Sequence, residues 1–68
     1  MLNRFDLKLL TDSGFQPSPS GASWFAEDKN NVEWQAYIVE GDHEITFERL
    51  EERGSMFLER EQFEELFV

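Results

Sequence analysis

The sequence predicts an α+β domain of two layers: an antiparallel sheet of three or four strands, with an N-terminal and a C-terminal helix packed on one of its faces. Three observations carry this reading. Apolar residues recur at helical spacing at both ends of the chain, they alternate at period two over residues 32–40 and again over 44–48, and clusters of turn-forming residues separate these stretches. Two helices with apolar stripes need a surface that buries them, and one face of the sheet provides it.

From Asn3, the residues Phe5, Leu9 and Leu10, with Leu2 before them, place an apolar stripe on a helix over residues 3–13, and Gly14 stands where a left-handed cap would close it. Gln16-Pro17-Ser18-Pro19-Ser20-Gly21 follows. Its two prolines remove backbone donors and disfavour helix in the residues before them, so the segment reads as a loop. Ser23-Trp24-Phe25-Ala26-Glu27 is a short aromatic strand, and Asp28-Lys29-Asn30-Asn31 a hairpin turn.

Residues 32–40 form the clearest strand, because Val32, Trp34, Ala36 and Ile38 alternate with Glu33, Gln35, Tyr37 and Val39. Gly41-Asp42 turns the chain, and residues 44–48 alternate again with Ile45 and Phe47 inward. After a turn at Glu51-Glu52-Arg53-Gly54, the apolar Met56, Phe57 and Leu58 supply the candidate fourth strand. Phe63, Leu66 and Phe67 then stripe a closing helix over 59–67, with Glu59 and Gln62 at capping-box spacing. Trp34, Ile38, Phe47 and Phe63 are the expected core.

The chain carries fifteen acidic residues against six basic ones, a formal net charge of −9. High charge alone would favour disorder, but aromatic residues make up 15% of the chain and supply the area a core needs. At 68 residues this is a single domain, 1–68, near the lower size limit for a self-sufficient core. With no cysteine, disulfides and thiolate metal sites are excluded. The N-terminal Met-Leu-Asn-Arg-Phe-Asp is charged and no run approaches membrane-spanning length, so a soluble, cytoplasmic protein without membrane contact is expected.

No constellation for catalysis stands out. The single histidine, His43, lies by a turn between Asp42 and Glu44 and reads as a solvated turn residue. The adjacent pairs Glu51-Glu52 and Glu64-Glu65 diverge on a strand or a helix, and no segment has the spacing of a calcium loop or a phosphate cradle. The expectation is a non-enzymatic protein without catalytic residues, cofactor or metal.

The charge is uneven, at −2 over residues 1–34 and −7 over residues 35–68. Such a field repels nucleic acid and attracts basic surfaces. The order helix, strands, helix is also that of the double-stranded RNA-binding domain, but the closing helix here reads Glu59-Arg60-Glu61-Gln62-Phe63-Glu64-Glu65, the wrong sign for phosphate. Direct nucleic-acid binding is therefore not expected.

Glu33, Glu44 and Glu48 fall on the sheet face opposite the core, where carboxylates two residues apart along a strand stand roughly 6 to 7 Å apart and could form an anionic ladder. Asp42, Glu51 and Glu52 would extend it at the sheet ends, and Glu61, Glu64 and Glu65 give the last helix an anionic side. Tyr37 and Val39 share that outer face with either Trp24 or Phe25, depending on the register of the first strand. Tyr37 and Trp24 are the candidate anchors for a partner.

In its small size, lack of cysteine, extreme acidity and lack of a catalytic constellation, the chain is similar to the small phage-encoded inhibitors that act as nucleic-acid mimics, including acidic anti-CRISPR proteins. The resemblance spans the whole chain in composition and involves no shared motif. It implies an inhibitor in the host cytoplasm that blocks the positively charged nucleic-acid channel of a CRISPR effector or another basic host protein. The other reading is a bacterial adaptor, antitoxin or immunity-type module that binds a protein through an aromatic sheet face, its acidity serving solubility.

Overall fold

The computed structural model of the protein describes residues 2–52 and 54–68. A 3-10 turn, Arg4–Asp6, runs into helix α1, Leu7–Asp12. Five strands follow: β1 Gln16–Pro17, β2 Ser23–Glu27, β3 Glu33–Ile38, β4 Ile45–Arg49 and β5 Ser55–Met56. Helix α2, Arg60–Phe67, closes the chain. The strands form one antiparallel meander in the order β1-β2-β3-β4-β5, so the expected two-layer α+β arrangement with a helix at either end is the observed one. Among the described residues, no helix is long and apolar enough to cross a membrane.

Register fixes the faces. Trp34 pairs with Arg49, Ala36 with Phe47 and Ile38 with Ile45, while Ala26 and Trp24 of β2 pair with Trp34 and Ala36. These residues share the core face. Trp34, Ala36, Ile45 and Phe47 are buried there with Leu10, Phe15, Leu58 and Phe63, and Ile38 packs half-buried against them. The rings of Phe15 and Phe63 stack with centroids 6.0 Å apart, Phe47 meets Phe15 edge-on at 6.2 Å, and Phe67 lies 4.8 Å from Phe15. Such aromatic pairs add to the area they bury, and they anchor α2 to the sheet.

The helix ends follow from local hydrogen bonds. Gly14, at φ 99°, closes α1: its N–H donates to the Thr11 carbonyl and the Phe15 N–H donates to the Leu10 carbonyl. This is a Schellman closure, and it delivers Phe15 into the core beside Leu10. At the start of α2 the Glu59 N–H donates to Gln62 Oε1 at 2.9 Å, the contact that their spacing predicts.

Four features differ from the sequence reading. Phe5 is not on the buried stripe but 88% exposed. The chain enters α1 through a 3-10 turn capped by Asn3, whose Oδ1 accepts from the Phe5 N–H. That tighter winding swings Phe5 off the face that carries Leu10. Gln16–Pro17, expected as loop, forms an edge strand on β2, a place where proline's missing donor is tolerated. The fourth expected strand is present only as Ser55–Met56, with Phe57 exposed and Leu58 buried beyond it. Trp24, a candidate for the outer face, lies on the core face, and Phe25 takes the outer position. Arg53 of the expected turn at 51–54 lies outside the described residues.

Candidate functional site

Neither helix covers the outer face of the sheet, because the residues they bury all pack on the other one. Cross-strand pairing arranges the outer residues in rows. Gln16, Phe25, Gln35, Glu48 and Ser55 form one complete row across all five strands. Ser23, Tyr37 and Thr46 form the next, and the β4–β5 register continues it to Phe57. On the far side of the first row Glu27 stands directly opposite Glu33. Leu50, whose N–H donates to the Glu33 carbonyl, completes that row.

Aromatic and acidic groups therefore interleave. Phe25, Leu50 and Phe57 are 36%, 46% and 49% exposed, and Val39 is also exposed at the end near Glu44. Tyr37 is half-buried, with its hydroxyl donating to Glu48 Oε2 at 3.5 Å. Burial, followed by the Glu48 charge and its hydrogen bond, raises the Tyr37 pKa above its ordinary value of 10.0 and keeps the phenol neutral. Thr46 is buried between Tyr37 and Phe57.

The expected acids divide into three groups. Glu33, Glu44 and Glu48 do lie on the outer face, but not as a ladder: Thr46 separates Glu44 from Glu48 along β4, and Glu33 and Glu44 stand at opposite ends of the sheet. Asp42, in the turn before β4, lies at the Glu44 end, while Glu51 and Glu52 leave β4 at the Glu33 end. The charge of Glu52 is matched by Arg49, Nη2 to Oε2 at 2.7 Å. Glu61, Glu64 and Glu65 are exposed on α2 while Phe63 of the same helix is buried against the sheet, so they lie on the other side of the molecule.

Two elements hold the site in place. At the β2–β3 turn, Asp28 accepts from the N–H groups of Asn30 and Val32 through Oδ1, at 2.8 and 3.1 Å, and from Trp34 Nε1 through Oδ2 at 2.9 Å. Burial opposes its ionisation, but these hydrogen bonds and the Arg49 charge outweigh it and hold the pKa below 3.8. Asn31, at φ 64°, completes the turn, and the Lys29 N–H donates to the Leu66 carbonyl at the end of α2. This hairpin sets Phe25 and Glu27 against Gln35 and Glu33. On β4, Arg49 turns to the core face with its guanidinium carbon 5.6 Å from the centre of the Trp34 ring.

Sequence reasoning missed Glu27, Leu50 and Phe57, and left Phe25 undecided against Trp24. A turn closed by Asp28 and Val32 forces Glu27 opposite Glu33, and counting outward from it would have found both Glu27 and Phe25. Phe57 carried no such signal, because its row depends on the short β4–β5 pairing.

Among the described residues, no group of three or more histidine, cysteine, aspartate or glutamate side chains is placed to hold a metal ion. Compared with protein-family models, with curated protein sequences and with solved structures, the chain matches none of them.

Proposed function

We propose that the protein is a non-enzymatic binding module whose outer sheet face occupies a basic surface on another protein. The observation that supports this is the uncovered interleaving of Phe25, Tyr37, Leu50 and Phe57 with Glu27, Glu33, Glu44 and Glu48. Aromatic side chains supply the desolvated centre of an interface, and carboxylates around them select a partner of opposite charge. Basic surfaces of this kind are those that hold nucleic acid, so the bound module acts as an inhibitor that excludes DNA or RNA from its target.

A second reading, in which the molecule mimics nucleic acid through its summed field alone, draws on the net charge of −9. It makes the α2 acids as important as those of the sheet. The two readings separate in a comparative affinity capture with three baits: the native chain, a Phe25→Ala/Phe57→Ala variant and a Glu61→Lys/Glu64→Lys/Glu65→Lys variant. The face reading expects basic proteins that are held by the native chain and by the α2 variant, lost with the aromatic variant, and displaced by added duplex DNA. The same proteins held by the aromatic variant and lost from the α2 variant would overturn it in favour of the summed field.

A further inference from the structure

The outer face contains a shallow hollow of about 370 Å³ lined by Gln16, Phe25, Glu27, Glu33 and Leu50, over the strand backbone at Ala26 and Trp34. Its rim is unusual. The Asp28 N–H donates to the Val32 carbonyl, so by the alternation of an antiparallel ladder the next pair, Glu27 and Glu33, is the close, non-hydrogen-bonded kind with Cα atoms about 4.5 Å apart. Like charges facing each other at such a pair are destabilising, and sheets ordinarily place opposite charges there. The nearby cation, Arg49, does not relieve them: it faces the core side over Trp34 and pairs with Glu52. Among the described residues, neither Glu27 nor Glu33 has a cation within ion-pair distance.

We infer that this hollow is a socket for one arginine side chain of the protein partner, an inference that rests on the outer face being the binding face. Each part of an arginine has a counterpart there. The planar guanidinium can lie over the Phe25 ring, its two donor edges can reach the Glu27 and Glu33 carboxylates, and its methylene stem can cover Leu50. Lysine, a compact and strongly hydrated charge with no planar face, matches only the carboxylates. Occupation by a guanidinium turns the Glu27–Glu33 repulsion, a cost in the free protein, into a gain that exists only in the complex.

The test is an NMR titration of the isotope-labelled full chain at 0.15 M salt with N-acetyl-arginine methylamide, and in parallel with N-acetyl-lysine methylamide. Saturable amide shifts are expected at Phe25, Glu27, Glu33 and Leu50, reaching half-saturation at a several-fold lower concentration of the arginine probe than of the lysine probe. Glu27→Gln/Glu33→Gln should abolish that preference and raise the melting temperature by removing the repulsion, and the amide spectrum would confirm that it is folded. Equal response to both probes, or no saturable shift, overturns the socket. Arginine-induced shifts centred on Glu44 and Phe57 overturn it while leaving the outer face as the binding face. Shifts centred on Glu61, Glu64 and Glu65 count against both.

Discussion

Trp34 and Asp28 are joined by a hydrogen bond of 2.9 Å from the indole Nε1 to Oδ2, which gives the largest residue of the sheet core a polar partner and gives a buried carboxylate its third donor. The same aspartate thus shapes the β2–β3 turn and orients the ring against which Phe67 and Arg49 pack.

Asp28→Asn should destabilise the fold by about 1 to 3 kcal/mol, because an amide offers one acceptor oxygen where the carboxylate uses two, and it leaves a buried N–H of the turn or of Trp34 without its partner. Denaturant unfolding at pH 7 measures it. A native-like midpoint would mean that the turn does not depend on the charge.

The pH dependence has a definite sign. The folded-state pKa of Asp28 is depressed below its ordinary value of 3.8, so its stabilisation is fully present above that value and is lost as pH falls through the lowered folded value. The stability difference between the native chain and Asp28→Asn should therefore be constant from pH 7 to about pH 5 and shrink below pH 4. Paired melts across that range check it, and a gap that widened in acid would contradict the assignment.

Phe47→Ala and Phe63→Ala should each cost about 3 to 5 kcal/mol, since both rings are fully buried in one aromatic cluster that joins the sheet to α2. In a domain this small, such a loss is comparable to the total stability, so Phe47→Leu serves as the graded variant and should lose less. Thermal unfolding followed by circular dichroism reads both.

Reversing Glu33, Glu44 and Glu48 together to lysine should leave folding intact and abolish binding to a basic partner, because all three lie on the face that the helices leave open. Each single reversal should be mild. A folded triple variant with unchanged binding would confine the outer acids to a solubilising role.

The isolated protein should bind neither DNA nor RNA at moderate salt, given a field of nine negative charges. Gel-shift assays without added metal test it, and retention on a duplex would count against the proposed inhibitor outright.

The inner and outer sides of β3 and β4 were legible in the sequence because alternation runs through Val32, Trp34, Ala36 and Ile38 and, beyond the turn, resumes at Ile45 and Phe47. The helix ends were legible too, through Gly14 and the Glu59–Gln62 spacing. Strand β2 was legible as a strand over Ser23–Glu27 but its faces were not, since Trp24 and Phe25 are adjacent aromatics of equal appetite for burial and only the register imposed by the hairpin separates them. Phe5 failed for a different reason: a capping aspartate and asparagine tightened the entry turn, and a hydrophobic pattern carries no record of that winding. The candidate site was half legible. Its acids follow from alternation, whereas the Glu27–Glu33 confrontation and the row that ends in Phe57 are products of pairing between strands.

The meander also bears on how the chain folds. Every strand pairs with its immediate predecessor, so sheet contacts close short loops and hairpins can form within microseconds of collapse. Connections between distant parts of the chain include Leu2–Arg4 against the start of β4, the Lys29 N–H on the Leu66 carbonyl, the Arg60–Asp6 ion pair and the packing of Phe15 on Phe63 and Phe67. The outer face is thus built from contacts between neighbouring segments, whereas the core also joins the two ends of the chain. A variant that weakens the Lys29–Leu66 junction should accordingly loosen the end of α2 and leave the outer rows intact, read as amide exchange that quickens in α2 and not in β2–β4.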